Sequence, residues 1–229
     1  VPSNASVRIL QGPLRGQRWV AGAATHGCWL GSYESEKQHA IADRLNEGNV
    51  FFDVGANVGF YTLLAAKYVG ASGQVVAFEP FPGNVSFLQR HMTLNHLENV
   101  ELFEAAVSDQ AGTGKFSPGP DGCTGRLGDD GQLAVELVTL DDLTGSGRIP
   151  FPDVIKIDVE GAEFQVLKGA AKLLSDRHPV VFLATHGKQV KHDCLELLEG
   201  LHYQCEPLEV GVDPSKADEF VAIFDPPSA

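Results

Sequence analysis

The chain has 229 residues, 43% of them hydrophobic, and a formal net charge of −13, and this length suits one α/β domain with a sizeable core. No uninterrupted apolar run is long enough to cross a bilayer, so we do not expect a membrane protein. With 17 basic and 30 acidic residues, the chain repels phosphate backbones, so we do not expect a nucleic-acid substrate either.

Residues 7–34 are rich in glycine and contain short apolar stretches at 7–10, 18–20 and 28–30. We interpret these stretches as short strands of an N-terminal β flap, which predicts a β-rich extension over residues 1–34. A helix is predicted over 35–48, with Gly48 as its stop. Residues 35–229 are then predicted to form a single globular unit.

Strands and helices alternate through the rest of the chain. The pattern predicts strands at 50–54, 74–79, 99–103, 153–158, 180–184, 203–206 and 219–224, and helices at about 59–69, 82–95, 162–175 and 188–199. Stretches 113–116 and 133–138 are predicted to form a hairpin added to the sheet. The loop between them, 117–131, is either a substrate lid or an ordinary surface loop. The last two strands have no helix between them, which indicates a mostly parallel sheet with an antiparallel edge.

The most informative segment is FFDVGANVGFYT at 51–62. An apolar strand ends at Asp53, a turn of small residues follows, and a helical sequence begins at Phe60. Parallel α/β sheets bind ligands at the carboxyl ends of their strands, and Gly55 and Gly59 permit a tight turn and a close approach by a ligand. The segment therefore predicts a nucleoside-binding turn.

The spacing of this turn discriminates between cofactors. Dinucleotide-binding turns follow G-x-G-x-x-G, whereas Asn57 and Phe60 occupy the second and third glycine positions here. An acid two residues before the first glycine would repel a pyrophosphate, but it suits the ammonium and sulfonium groups of S-adenosylmethionine. We therefore expect S-adenosylmethionine as the cofactor, with a nicotinamide-dependent oxidoreductase as the weaker alternative.

Glu79 follows the second predicted core strand. An acid at this position can accept hydrogen bonds from both ribose hydroxyls, a feature that dinucleotide sites share. It therefore indicates a ribose and not a particular cofactor. The alternative interpretation is that Asp53 and Glu79 cap their strands without binding a ligand.

Lys156, Asp158 and Glu160 alternate at the end of a predicted central strand. Period-2 geometry places the three side chains on one face, and polar groups in a strand covered on both sides are costly unless they are paired or bind a ligand. Pairing of Lys156 with Asp53 or Asp158 is as good an interpretation as a role in the site. Asp158 and Glu160 are candidate catalytic residues.

His186 follows the fifth core strand and is the other candidate base, since an imidazole can deprotonate a hydroxyl. It could equally hydrogen-bond to a carboxylate without taking part in chemistry. No His/Asp pattern has metal-ligand spacing, so no metal is predicted.

The four cysteines fit neither a zinc site nor a dense disulfide framework; they are Cys28, Cys123, Cys194 and Cys205. We expect reduced thiols in a cytoplasmic protein, with a Cys194–Cys205 pair left open.

Together these motifs resemble the FkbM family of S-adenosylmethionine-dependent methyltransferases from about residue 29 to residue 224. The matching segments are WLGSYE at 29–34, FFDVGANVGFYT at 51–62, FEP at 78–80, NHLENVELFEAAVSD at 95–109, TLDDL at 139–143, KIDVEGAE at 156–163 and DEFVAI at 218–223. The DVGANVG turn is shared with other methyltransferases, but its combination with TLDDL and KIDVEGAE is much more specific.

The resemblance implies a class I methyltransferase fold, a Rossmann-like three-layer sandwich whose seven-stranded, mostly parallel sheet has an antiparallel last strand. It also implies methyl transfer to a hydroxyl of a sugar, polyketide or similar metabolite. The residues expected to hold the cofactor are Glu34, Asp53, Gly55, Asn57, Gly59, Tyr61, Thr62, Glu79, Pro80, Ala106, Val107, Ser108 and Asp158. Many relatives end the fifth strand with Glu-x-His, whereas this chain has Ala184-Thr185-His186, so no carboxylate role is carried over to residue 184.

Two alternative functions stay open from the sequence. The chain could bind S-adenosylmethionine without catalysis, or it could transfer the methyl group to a nitrogen or carboxylate acceptor. Binding of the cofactor without transfer to any hydroxylated acceptor would favour the first alternative. We expect a monomer or a homodimer.

Overall fold

The computed structural model describes residues 2–119, 125–128 and 130–226. The strands in these ranges are β1 (Ser6–Arg8), β2 (Arg18–Val20), β3 (Val50–Val54), β4 (Gln74–Phe78), β5 (Val100–Phe103), β6 (Ala105–Val107), β7 (Gly112–Pro118), β8 (Gly125–Leu127), β9 (Leu133–Val138), β10 (Val154–Ile157), β11 (Val180–Ala184), β12 (Tyr203–Pro207) and β13 (Glu219–Phe224). The helices are α1 (His26–Leu30), α2 (Ser35–Ala42), α3 (Phe60–Val69), α4 (Pro82–Leu94), α5 (Leu140–Gly145), α6 (Glu163–Lys168), α7 (Ala171–Arg177) and α8 (Lys188–Gly200). No helix in the described part of the chain is long and apolar enough to cross a membrane.

The central sheet has the strand order β12-β13-β11-β10-β3-β4-β5. Strand β13 runs antiparallel to both of its neighbours, and the pairs from β11 to β5 are parallel. The expected mostly parallel sheet with an antiparallel last strand is thus confirmed, although β12 and not β13 forms the edge. The carboxyl ends of β3, β4, β10 and β11 lie at the same edge of the sheet, where a ligand site is expected.

Both faces of the sheet are buried, which explains the continuous apolar runs of the central strands. On one face, Phe51 belongs to a core cluster with Leu64 and Val69 of α3. On the other face, Phe52 belongs to a cluster with Leu173 of α7 and Leu198 of α8. Adjacent residues of β3 therefore anchor helices on opposite sides, and the result is a three-layer sandwich.

The N-terminal extension differs from the prediction at one element. Strands β1 and β2 pair as an antiparallel ribbon, but residues 28–30, expected as a strand, belong to helix α1. Gly31 ends this helix in a left-handed conformation, with φ of 82°. A three-residue apolar run is too short to separate helix from strand by periodicity. Helix α2 likewise ends at Ala42, earlier than the predicted stop at Gly48. The domain boundary at residue 34 stays a prediction.

The predicted helix at 162–175 is two helices, α6 and α7. Gly169 lies at the break, where a Cβ atom would be 2.0 Å from the carbonyl oxygen of Ser108. Asp141, from another part of the chain, caps the N-terminus of the second helix. Its carboxylate accepts hydrogen bonds from the backbone N–H groups of Lys172 and Leu173. This close contact and this long-range cap are both absent from the local sequence pattern.

The predicted hairpin also belongs to a different sheet. Strands β7 and β9 pair antiparallel as expected, but they form a second, four-stranded sheet with the order β6-β9-β7-β8. Of the candidate lid at 117–131, residues 120–124 and 129 lie outside the described residues. The described part contributes β8, which pairs with β7.

A buried ion pair connects the two central strands. Lys156 of β10 lies opposite Asp53 of β3 in the sheet register, its Nζ is 3.2 Å from Asp53 Oδ1, and the two side chains are 4% and 0% exposed. The Thr62 hydroxyl donates a 2.6 Å hydrogen bond to Asp53 Oδ2. The structure therefore favours the pairing interpretation of Lys156.

Replacing Lys156 by methionine should destabilise the fold by about 3–5 kcal/mol, because the Asp53 carboxylate would stay buried without its counter-charge. Urea unfolding at pH 7.5 measures the change. The double variant Lys156→Met/Asp53→Asn should recover part of the loss. A loss below about 1 kcal/mol in the single variant would show that the pair is not needed.

His91 joins the N-terminal ribbon to the glycine turn. The backbone N–H of Val20 donates to His91 Nε2 at 3.0 Å, and His91 Nδ1 lies 2.8 Å from the Val58 carbonyl oxygen, to which it donates. This bonding needs a neutral ring. Burial lowers the pKa of His91 from 6.5 to about 4.

Because the unfolded chain binds a proton on this histidine below pH 6.5 and the folded chain does not until about pH 4, folding stability should fall as the pH is lowered through this window. The loss is about 3 kcal/mol by linkage. We expect a smaller loss in His91→Gln, which keeps a donor and an acceptor but does not titrate. Urea unfolding of both proteins at pH 7.5, 5.5 and 4.5 checks this, and parallel losses would contradict it.

Candidate active site

A cleft lies at the carboxyl ends of β3, β4 and β10, and it is lined by the glycine turn, by Glu79, by β6 and by residues 156 and 158–160. It holds about 1040 Å³ of empty space, open solvent at its mouth included. The carboxyl ends of parallel strands are where open α/β sheets bind their ligands, so this cleft is the candidate ligand site.

The glycine turn packs directly against β10. Gly55 has φ of 76°, and a Cβ atom there would lie 2.0 Å from the carbonyl oxygen of Asp158, so no other residue fits. Lys156 Nζ donates a 2.7 Å hydrogen bond to the Gly55 carbonyl oxygen. Asn57 also adopts positive φ, 51°. These contacts hold the turn and the tip of β10 at a fixed separation.

Glu79 lies in the middle of the cleft wall and is buried. Its Oε2 accepts a 2.7 Å hydrogen bond from the Asn57 N–H, and its Oε1 accepts a 2.9 Å bond from the Phe81 N–H. Burial raises the pKa of Glu79, and the hydrogen bonds from Phe81 and Asn57 oppose this change. Oε1 also accepts a 3.4 Å hydrogen bond from the Asn84 side-chain amide, whereas Oε2 has a second lone pair with which it can accept a hydrogen bond from a ligand.

The end of the cleft beyond Glu79 is apolar. Ala106 and Val107 of β6 line it together with Phe116 and Leu127 of the second sheet. Phe116 stacks on Phe81, with ring centroids 6.0 Å apart. The second sheet thus closes the end of the cleft that suits a planar base.

The opposite end is acidic: Asp158 and Glu160 line it, and His186 lies beside them, outside the lining. His186 Nε2 lies 3.9 Å from Asp158 Oδ1 and 3.5 Å from Glu160 Oε2. His186 Nδ1 lies 2.8 Å from Oε1 of Glu163, which is 0% exposed. The three atoms of Asp158, Glu160 and His186 that could hold a metal ion lie within 4.8 Å of one another.

This arrangement shifts the proton affinity of the histidine. The hydrogen bond to Glu163 raises the pKa of His186 from 6.5 to about 9, and Asp158 and Glu160 add to the increase against the effect of burial. Burial alone would raise the pKa of Asp158, but Lys156 and Lys37 outweigh it and lower the pKa below its usual value. Asp158 therefore stays ionised at neutral pH, whereas His186 is largely protonated when only protein groups surround it.

Lys37 of α2 holds the acidic end in place. Its buried Nζ lies 3.1 Å from Glu34 Oε2 and 3.4 Å from Asp158 Oδ2, and it also pairs with Glu219 of β13. The Tyr61 hydroxyl donates a 2.6 Å hydrogen bond to Glu34. The network connects the first helix of the main fold and the last strand to the tip of β10.

The predicted site residues divide by position. Those that line the cleft are Gly55, Asn57, Tyr61, Glu79, Pro80, Ala106, Val107, Asp158 and Glu160. Those that the structure places outside its lining are Glu34, Asp53, Gly59, Thr62, Ser108 and His186. Asp53 pairs with Lys156 and accepts the hydrogen bond from Thr62, so Asp53 is neutralised by a lysine and does not line the cleft. Glu34 reaches the site through Lys37 and Tyr61.

Sequence reasoning did not identify several residues that shape the site. Phe116 and Leu127 were placed only in a hairpin and a loop, and Lys37 was an unremarked position in a predicted helix. Glu163, the last residue of the KIDVEGAE segment, lies in the first turn of α6, and the sequence did not identify it as the partner of His186. Cys194 and Cys205, left open as a pair, are free thiols, and Cys123 lies outside the described residues.

Comparisons with known proteins agree with this geometry. A family model of the methyltransferase FkbM domain matches residues 53–206. The chain is 28% identical over 150 residues to the hexuronic acid methyltransferase AglP of Haloferax volcanii. The match covers 65% of this chain and 61% of that protein. It is 29% identical over 160 residues to the 31-O-demethyl-FK506 methyltransferase FkbM of Streptomyces tacrolimicus. That match covers 55% of this chain and 60% of that protein. The chain thus spans about three fifths of the length of these curated relatives.

Solved structures support the fold. A methyltransferase FkbM from Methylobacillus flagellatus superposes with a TM-score of 0.57 and 19% identity over 79% of this chain and 44% of that one. A SAM-dependent O-methyltransferase from Thermotoga maritima superposes with a TM-score of 0.52 and 14% sequence identity, over 85% of this chain and 67% of that one. At these identities the likeness concerns the fold alone, and the expected class I methyltransferase fold is confirmed. Because the family model covers more than half of the sequence, the chain belongs to the methyltransferase FkbM family.

Proposed function

We propose that this chain is an S-adenosylmethionine-dependent O-methyltransferase whose acceptor is a hydroxyl of a sugar or a secondary metabolite. The observation that carries the proposal is the polarity of the cleft, which is apolar at one end, has Glu79 in the middle and is acidic at the other. Among the described lining residues the one lysine, Lys156, is already paired with Asp53. Such a cleft suits a cationic adenosine and offers no anchor for a pyrophosphate.

The residues present fit this cofactor. Glu79 would accept hydrogen bonds from the ribose hydroxyls, and Ala106, Val107 and Phe116 would enclose the adenine. The turn between Gly55 and Asn57, together with Tyr61, would hold the methionine portion. Asp158, which stays ionised, would face the cationic end. The predicted roles of Asp53 and Thr62 become indirect, through the position of the turn.

When bound, the cofactor supplies a methyl group on a sulfonium that is itself a good leaving group. The work of the chain is to align the acceptor oxygen and to accept its proton. Alignment of reactants is worth roughly 7–11 kcal/mol, and a positioned base adds about 10²–10⁴-fold. Asp158, Glu160 and His186 lie at the end of the cleft where this proton would be released.

The names of two relatives favour oxygen as the acceptor atom. One is the 31-O-demethyl-FK506 methyltransferase, and another is the 2-O-methyltransferase NoeI of Sinorhizobium fredii, which is 27% identical over 146 residues and covers 55% of this chain and 59% of that protein. The relative from Haloferax volcanii is named for a hexuronic acid. A hydroxyl on a sugar or a polyketide is therefore the acceptor class to test first.

The first test is calorimetry with S-adenosylmethionine and its demethylated product. We expect both to bind to the wild type and both to bind about 10- to 100-fold more weakly to Glu79→Gln, because a charge-assisted hydrogen bond to the ribose is lost. Glu101→Gln is the matched control, since that carboxylate pairs with Arg148 and does not line the cleft.

Thermal unfolding of each variant separates loss of the site from loss of the fold. Equal affinity of wild type and Glu79→Gln would contradict the assigned ribose contact. Saturable binding of NADH with none of the methyl donor would overturn the proposed function.

The second test is turnover, followed as release of the demethylated cofactor with a panel of sugars and hydroxylated polyketides. His186→Ala should lower turnover more than tenfold while the affinity for S-adenosylmethionine is unchanged, because the residue lies at the acceptor end and outside the cofactor wall. His192→Ala, on the exposed side of α8, is the control. Unchanged turnover in His186→Ala would show that this histidine is structural.

A further inference from the structure

We propose that Asp158, Glu160 and His186 form a binding site for one divalent cation at the acceptor end of the cleft, a role that rests on the methyl transfer proposed above and specifies how the acceptor is activated. The three residues come from the ends of two adjacent strands, β10 and β11. Their sequence spacing is not that of a metal motif, and only the parallel pairing of these strands brings them together.

The distances between the three side chains match a coordination sphere. His186 Nε2 lies 3.5 Å from Glu160 Oε2 and 3.9 Å from Asp158 Oδ1, and all three ligand atoms lie within 4.8 Å of one another. Ligands at about 2.0–2.4 Å from a common ion are separated by roughly 3–4.5 Å. The separations are too long for direct hydrogen bonds of good geometry, and they leave room for an ion between the groups.

The orientation of His186 is a second and independent observation. Its Nδ1 is bonded to Glu163, which belongs to α6, is 0% exposed and is not itself one of the three ligands. This bond turns Nε2 towards the two carboxylates. Metal-binding histidines commonly donate their second N–H to a carboxylate in this way, which fixes the ring and makes it a better ligand.

Asp158 is held from outside the three-residue group as well. Its Oδ2 lies 3.4 Å from Lys37 Nζ, which leaves Oδ1 on the side of His186. Around the site, five carboxylates (Glu34, Asp158, Glu160, Glu163 and Glu219) face Lys37 and His186. Lys156 also acts on Asp158, but it is paired with the Asp53 carboxylate, so the excess of negative charge remains. This excess of negative charge favours an additional cation.

The described residues contain a second group with metal-ligand spacing, and it lacks these features. His192, Asp193 and Glu196 lie on α8, where His192 and Glu196 are 70% and 75% exposed and 3.9 Å apart. They do not line the cleft, and their proximity follows from i,i+4 spacing on a helix. This exposed group is therefore a control and not a candidate.

A cation held by Asp158, Glu160 and His186 would stabilise negative charge on an acceptor oxygen beside it. The O–CH₃ bond would form as the S–CH₃ bond breaks, and the electron pair of the broken bond would remain on sulfur. Because the three side chains would then be ligands, they would not accept the hydroxyl proton themselves, and this proton would pass to solvent. A set of two carboxylates and one imidazole suits ions that accept both oxygen and nitrogen. We therefore choose Mn²⁺ as the probe.

The experiment titrates Mn²⁺ into the metal-free full chain, without cofactor or acceptor, and follows the loss of the free-ion electron paramagnetic resonance signal. We expect one Mn²⁺ per chain in the wild type and in His192→Ala. Affinity should fall at least tenfold in His186→Ala and Glu160→Gln. It should fall about 10- to 100-fold in Glu163→Gln, which weakens the bond that orients the ring and keeps a side-chain oxygen for the Gly161 N–H. Glu160 is partly exposed, so its variant keeps the test valid if another fails to fold.

Equal Mn²⁺ binding by the wild type, His186→Ala and Glu160→Gln would overturn the inference, as would its loss in His192→Ala. Methyl transfer that continues unchanged in a chelator would also overturn it and would leave the proposed function intact. One bound Mn²⁺ that is lost in the site variants, together with no methyl transfer to any acceptor, would support the cation site and count against the proposed function.

Discussion

The buried pair between Lys156 and Asp53 is the contact on which the rest of the site depends. The two residues face each other across the central strands β10 and β3, and the same lysine binds the carbonyl oxygen of Gly55. One side chain thus sets the register of the strands and the position of the glycine turn. A slip of one residue would turn Asp158 to the opposite face. The cofactor end and the acidic end of the cleft are therefore fixed relative to each other by a single buried charge and its hydrogen bonds.

A second network brings the two ends of the chain into the site. Lys37 of α2 pairs with Asp158 and also with Glu219 of β13. Both positions lie outside residues 53–206, where the FkbM model matches. The matched region supplies the turn, Glu79, Asp158 and His186, whereas the flanking segments set the charge and orientation of the acidic end.

The sequence predicted the central strands well, because their apolar runs are continuous and end at glycine or acidic residues. It failed where a contact distant in sequence decided the outcome. Residues 28–30 end a helix whose cap, Gly31, packs against the N-terminal segment, since a Cβ atom at Gly31 would lie 2.1 Å from the Gln11 carbonyl oxygen. The helix at 162–175 divides because Gly169 touches Ser108 and Asp141 caps the second part. The predicted hairpin belongs to a second sheet because β9 pairs with β6. Residues of this second sheet form the apolar wall of the cleft.

The sequence by itself determined the class of fold, the turn that needs glycine at position 55, and the presence of acids at the ends of three strands. These features are local, since they depend on backbone angles and on the alternation of apolar residues. Only the tertiary structure decided which acid faces the cleft. Asp53 is turned to Lys156, whereas Asp158 and Glu160 meet His186 from the next strand. The side-chain partner at a strand end depends on the neighbouring strand, and strand order is a property of the folded sheet.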